Sequence, residues 1–268
     1  MTSQAGCLCR VLLGAAIVSA PAHAGSYLRS GEELSYSTSV GYSWATQQWN
    51  NERDLESTGC RREYAYNSHY FEYGYSYYYT LFGGALLADA SCGADTHSGA
   101  GDLRLGVRGR TDLYRNHRAW ELVATIPTER GDASPRLDCG AHGLRGALAR
   151  KDELLPRLSL GSGLGVQLWE SPLAHELDLD LSLSGPLRFA GLRWGLDLDA
   201  AAPLDDGGGV GADISDCGTR GKRIKVGLTL GASVAGGTYA ECGYGRAVWG
   251  EDATLSQGFS CGFSRTWD

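Results

Sequence analysis

The sequence predicts an all-β protein: one antiparallel up-and-down sheet of about twelve strands, closed into a single membrane-spanning barrel. Three observations predict it. Apolar residues alternate with small or polar ones in segment after segment along the chain. Glycine is abundant, at 39 of 268 residues, yet hydrophobic residues still make up 43%. The connections between segments also take turns, mostly short then long, as periplasmic turns and external loops do in outer-membrane barrels.

The first 24 residues read as an export signal. Arg10 supplies a positive start, Val11 to Ala20 form an apolar stretch, and Ala22-His23-Ala24 is an A-x-A cleavage site. Mature residues 25–268 are then the barrel, and no later apolar run is long enough for a transmembrane helix. Only helices and closed barrels satisfy every backbone group in hydrocarbon. An exported chain with strand periodicity and no helical anchor is thereby directed to the outer membrane of a Gram-negative bacterium, or to a soluble β-sandwich. Two features favour the barrel. Glycine dominates the polar faces, which suits a crowded interior, and the apolar faces are as uniform as a lipid-facing band requires.

Successive side chains of a strand point to opposite faces, so period two identifies strands. Twelve segments are expected near 33–44, 62–79, 84–91, 102–113, 119–126, 138–150, 158–169, 175–184, 191–202, 222–233, 239–249 and 254–267. In the first, Leu34, Tyr36, Val40, Tyr42 and Trp44 share a face; in the second, Phe71, Tyr73, Tyr75, Tyr77 and Tyr79 do. The third and sixth alternate poorly. Leu103, Leu105 and Val107 alternate with Arg104, Gly106 and Arg108, and the clearest segment sets Leu177, Leu179, Leu181 and Leu183 against Glu176, Asp178, Asp180 and Ser182. Leu192, Trp194, Leu196 and Leu198 oppose Arg193, Gly195, Asp197 and Asp199, and in the last segment Leu255, Phe259, Cys261, Phe263 and Trp267 form one face. Short connections fall at Leu81–Gly83, Tyr114–Arg118, Leu154–Arg157, Gly185–Ala190 and Val234–Thr238. Longer, more polar ones fall at Ala45–Arg61, Cys92–Gly101, Pro127–Leu137, Glu170–Ala174 and Pro203–Gly221, with Gly250–Ala253 closing the series.

Six cysteines remain after signal removal, and an oxidising compartment makes disulfides of them. Cys242 and Cys261 are nearly symmetric about a turn at Glu251-Asp252, which predicts a cross-strand bond. Cys60, Cys92 and Cys217 fall in, and Cys139 beside, external connections that bonds between them would tie together. Spacing alone does not choose the pairing. No histidine stands at ligand spacing from a cysteine pair, so no metal and no cofactor is expected.

The expected inward face carries Arg104, Arg108, Arg110 and Glu121 on one side and Asp178, Asp180, Asp197 and Asp199 on the other. As a pore lining, these would set a basic wall against an acidic one and filter solutes by charge. Alternatively, the charges pair and plug a barrel whose strand number lies between filled and open examples. A net charge of −7 argues against nucleic acid as a partner. The expected partners are membrane lipid, the machinery that inserts barrels, and a small polar solute or polysaccharide. A lipid hydrolase in the barrel wall would need serine, histidine and an acid together. The mature histidines are His69, His97, His117, His142 and His175, no Gly-x-Ser-x-Gly elbow is present, and a non-enzymatic role is expected. A glycosidase would instead pair carboxylates such as Asp178 and Asp199.

The stretch Gly99-Ala100-Gly101-Asp102-Leu103-Arg104-Leu105-Gly106-Val107-Arg108 resembles a strand-opening motif of several Gram-negative outer-membrane barrel families. With the aromatic early strands and leucine-rich later hairpins, the layout is similar to XagA-like proteins and to phenol-pathway-type barrels. The first resemblance implies a link to exopolysaccharide and biofilm production, the second a passive transport role. A tyrosine commonly follows the motif's arginine, where this chain has Gly109. An adhesive barrel presenting disulfide-tied loops is the competing reading.

Overall fold

In the computed structural model, residues 28–29, 31–111, 118–128, 137, 139–170, 173–187, 191–205, 221–234 and 236–267 are described. The signal at 1–24, His117 and Cys217 lie outside them. Fourteen strands occur among the described residues: β1 Leu34–Trp49, β2 Leu55–Ser76, β3 Tyr79–Cys92, β4 Asp95–Ala100, β5 Leu103–Arg110, β6 Arg118–Ile126, β7 Gly143–Leu155, β8 Leu158–Trp169, β9 Glu176–Pro186, β10 Leu192–Pro203, β11 Lys222–Ser233, β12 Thr238–Glu251, β13 Ala253–Thr254 and β14 Gln257–Trp267. They make twelve staves, because β4 and β5 both pair with β3, and β13 and β14 both pair with β1.

Every pairing is antiparallel, and the sheet closes where β1 meets β14, from Leu34 opposite Trp267 to Trp44 opposite Gln257. Both chain ends therefore sit at one rim. That rim carries the short turns, at Tyr77–Tyr78, Pro156–Arg157 and Gly236–Gly237. Closure removes every sheet edge, the condition for a β-structure in hydrocarbon.

The sides of this wall are inverted relative to a water-soluble protein. Leu148 is 62% exposed and Phe263 59%, and both face outward in a belt with Leu87, Leu164, Leu196 and Leu228, whereas Arg108, facing inward, is only 2% exposed. Aromatic residues gather at the short-turn rim (Tyr36, Tyr73, Tyr75, Tyr77, Tyr78, Tyr79 and Trp267), as an interfacial girdle would. No helix among the described residues is long and apolar enough to cross a membrane.

Several expected boundaries move. The turn placed at Leu81–Gly83 lies instead at Tyr77–Tyr78, and 81–83 runs on as strand opposite Phe71, Tyr73 and Glu72. Gly83 makes room for the Phe71 ring directly across the sheet, so it serves packing, not a bend. Ala45–Arg61 and Cys92–Gly101, expected as loops, are mostly strand with tight turns at 50–54 and 93–94. Tyr77 and Tyr79 accordingly leave the second strand, and Leu255 falls in the break between β13 and β14. The sixth segment begins at Gly143, not at 138.

Candidate functional site

The inward face of β2, β5, β6, β7 and β9 carries a continuous belt of opposite charges. Arg29, preceding β1, donates from Nε to Glu72 Oε2 at 2.6 Å, and its backbone N–H donates to the fully buried Thr80 hydroxyl. Glu72 Oε1 accepts from Arg108 Nη1 at 3.0 Å, and Arg108 Nη2 donates to Glu121 Oε2 at 2.9 Å. Glu121 Oε1 then accepts from Arg145 Nη1 at 3.2 Å, and Arg145 also reaches Asp178 and Asp180. Register accounts for the order: Arg108 stands opposite Glu121, which stands opposite Ala147, leaving Arg145 on the diagonal. The Arg108 guanidinium is further seated over the Phe82 ring, 5.1 Å from its centre.

The acidic end of the belt is the β9–β10 hairpin. Asp180 lies directly opposite Asp199, with Asp197 opposite Ser182 and Asp178 opposite Ala201. Four carboxylates thus meet on one patch. Beyond it, Asp199 stands opposite Lys225 of β11.

The remainder of the wall is small. Ser35, Ser37, Ser39, Gly41 and Ser43 of β1 share the inward face with Gly258, Ser260, Gly262 and Ser264 of β14, and Gly243 and Gly245 of β12 continue it. On this inward face Ser35, Gly41, Gly258 and Ser260 are buried and Ser37, Ser39 and Ser43 half-buried; Asp197, Asp199 and Lys225 are half-buried, and Arg104, on β5, is exposed.

The expected site residues divide into two groups. Arg108 and Glu121 are buried in the paired belt, while Asp178, Asp180, Asp197 and Asp199 form the carboxylate patch. Arg104 stands apart, opposite Gly84 and Thr125, and Arg110 rests on the Tyr77 ring at the short-turn rim, 3.8 Å from its centre. Arg29, Glu72 and Arg145 are absent from the expected set. Glu72 shows the signal that would have found it, an even position facing away from Phe71 and Tyr73.

The long connection after β6 was expected outside the barrel, yet Leu137 is among the most buried residues. It packs on inward-facing Tyr64, Ala88 and Ala90, and its carbonyl accepts from the Tyr64 hydroxyl at 3.4 Å. The Cys139 backbone N–H donates to Asp102 Oδ1 at 3.2 Å, and Cys139, Ala141, Trp169 and Leu173 form a second cluster. The Gly101-Asp102 pair, within the motif, interrupts the stave between β4 and β5, and Asp102 anchors the returning loop there. Leu137 and Cys139 therefore lie on the inner side of the wall in its long-loop half.

Disulfides join Cys60 to Cys92 and Cys242 to Cys261. Cys242 and Cys261 are register partners on the outward face, as the hairpin symmetry predicts. Cys60 and Cys92 staple β2 to β3 within strands, a correction to their placement in loops. Cys139 is disulfide-bonded as well, to a partner outside the described residues.

The histidines associated with hydrolysis go elsewhere. His142 Nδ1 lies 2.9 Å from Glu170 Oε2, and His175 Nδ1 accepts the Trp169 N–H. His69 faces outward, its Nδ1 2.6 Å from the Tyr36 hydroxyl. Among the described residues, no three His, Cys, Asp or Glu side chains group as a metal site.

No family model and no curated protein sequence matches this chain. Solved structures do. An outer membrane channel from Pseudomonas putida F1 superposes with a TM-score of 0.69 at 16% identity, covering 94% of this chain and 100% of the channel. The β domain of the Bordetella autotransporter BrkA gives 0.52 at 12% identity, over 86% of this chain and 98% of that domain. The NanC porin gives 0.51 at 8% identity, over 86% and 98%. At these identities the likeness is one of fold: this chain has the fold of outer-membrane β-barrels.

Proposed function

We propose that the mature chain, cut after Ala24, is a passive pore in the outer membrane of a Gram-negative bacterium, with the short turns in the periplasm. One observation carries the reading. A closed barrel with an apolar exterior encloses a wall of serine and glycine beside half-buried Asp197, Asp199 and Lys225 and exposed Arg104. A polar interior carrying half-buried charges is what porin-type barrels use for passage.

In this reading the lining residues are Arg104, Arg110, Asp178, Asp180, Asp197 and Asp199. Arg108 and Glu121 brace the opposite wall through their mutual pair. Small polar solutes are the cargo. Membrane lipid and the barrel-insertion machinery are its partners in the same proposal. The similarity to XagA-like proteins extends it to a solute or polymer linked with exopolysaccharide. Liposomes containing the mature protein should swell in isotonic solutions of small neutral sugars and stop swelling above a size limit. Liposomes indistinguishable from protein-free ones contradict a pore.

A second reading has its own observation. The Cys60–Cys92 staple stiffens the far ends of β2 and β3, which protrude beyond the apolar belt at polar Glu63, Asp89 and Ser91. That hairpin suits an adhesive barrel presenting a rigid edge to a partner. Reduction of this bond would then abolish attachment while leaving swelling intact.

A further inference from the structure

A cavity of about 380 Å³ opens at the short-turn rim, lined by Lys151, Glu153, Arg157, Ser159, Pro186 and Arg193. Its residues come from β7, β8, β9, β10 and the turn at Pro156–Arg157, so the sheet register, not one flexible loop, brings them together. Lys151 and Glu153 stand on the inward parity of β7 with Arg145, Ser159 on that of β8 with Gly165, and Arg193 on that of β10 with Asp197. Three cations and one carboxylate therefore converge on the inner mouth of the barrel. This sign is opposite to that of the carboxylate patch deeper in the same hairpins.

Two further observations separate this cluster from ordinary rim arginines. Neither Arg157 nor Arg193 forms an ion pair among the described residues, although Glu153 lines the same cavity. Arg157 also holds a left-handed backbone, with φ at 78°. Glycine occupies that region freely, and a side-chain-bearing residue is strained there. The turn is fixed from below as well: a Cβ on Gly185 would approach the Arg157 carbonyl to 3.1 Å, so glycine at 185 lets the turn settle on β9. Arg157 thus presents its cation from a tight turn fixed against β9.

We propose that this cavity is a binding site for a soluble anion bearing a phosphate or carboxylate group. The forks of Arg157 and Arg193 would hold its oxygens, with the Lys151 ammonium and the Ser159 hydroxyl as additional donors. Its place on the inner face of the wall excludes lipid headgroups, and the direction of access, periplasmic, rests on the orientation proposed above. Binding itself does not depend on conduction. A regulatory anion would be held at the mouth, next to a lumen whose carboxylates repel it.

The test is calorimetric titration of the full mature protein, in non-ionic detergent at low salt, with inorganic phosphate and separately with citrate. Saturable binding of either probe is expected. Arg193→Gln should weaken it about tenfold or more, the usual loss for a hydrogen bond to a charged group. Arg157→Gly should weaken it comparably while unfolding at the same or a higher temperature, since glycine accepts the backbone conformation. Absence of saturable binding by the parent protein, or undiminished binding by both variants, overturns the site whatever the liposomes show.

Discussion

Arg108 of β5 and Glu121 of β6 stand directly opposite each other, and two guanidinium nitrogens of the arginine converge on one carboxylate oxygen, at 2.9 and 3.1 Å. Both side chains are 2% exposed. The pair ties two neighbouring staves, and through Glu72 and Arg145 it joins three more. Breaking a buried pair by removing one partner leaves an uncompensated charge and costs about 3–5 kcal/mol. Arg108→Met and Glu121→Gln should each lower the urea midpoint of the refolded barrel in detergent by that order. The double variant should lose clearly less than the sum of the two. Strict additivity would show that the two groups do not act as a pair.

Asp178 and Asp199 sit on the same carboxylate patch but differ in partners. Asp178 is held by Arg145, and Asp199 stands opposite Lys225. Asp178→Asn and Asp199→Asn should each shift reversal potentials in a salt gradient toward anion preference. One charge acting at about 4 Å through water is worth about 1 kcal/mol, or roughly fivefold in ion occupancy, which bounds the change per site. Unaltered selectivity in both variants would remove these residues from the lining.

Phe82 and Gly106 are register partners, and a Cβ at 106 would collide with the Phe82 ring and come within 2.8 Å of the Leu122 carbonyl. Gly106→Val should therefore destabilise the barrel by about 1–3 kcal/mol through overpacking. Adding Phe82→Leu should recover part of the loss, read from thermal unfolding in detergent. No recovery would mean that the ring is not the obstacle.

Cys242 and Cys261 lie on the outward face among Val40, Phe259 and Phe263. Replacing both with alanine should leave the closing β1–β14 register unchanged. It should lower unfolding stability by about 3 kcal/mol, the loop-closure contribution of a bridge of this span. A maleimide challenge of the unfolded, unreduced protein should label none of Cys60, Cys92, Cys242 and Cys261.

Glu170 and His142 clip the ends of β8 and β7 together at the long-loop rim, with the Glu170 N–H also donating to the His142 carbonyl. The hydrogen bond from His142 holds the Glu170 carboxyl below its usual range. A lowered folded value means that the clip stabilises the rim above the ordinary glutamate pKa of about 4.3. The contribution disappears as pH falls through the lowered value. Amide exchange near 170 should accelerate at that acid limb in the parent, and Glu170→Gln should abolish the pH step.

Much of the wall was legible in the sequence where it faces lipid. Residues 158–169 and 222–233 alternate and form strands with those limits. The turn at Tyr77–Tyr78 was not, because tyrosines continue the alternation straight through it and neither glycine nor proline marks it, whereas Gly83-Gly84 imitates a turn inside a strand. The protruding ends of β1, β2 and β4 escaped detection because strands beyond the bilayer need no apolar face. Asp178, Asp180, Asp197 and Asp199 were visible as an inward acidic wall from the alternation of their segments. Arg145 was hidden in the segment with the weakest period. Leu137, at the end of a polar connection, gave no sign in the sequence of its burial against Tyr64.

Single-channel recording in a planar lipid bilayer tests the central claim, a water-filled passage through a closed barrel, most directly. The mature protein should insert and carry a steady, ohmic current that favours cations and loses that preference in Asp178→Asn/Asp199→Asn. Insertion of correctly folded barrels that carry no current at any voltage would contradict it.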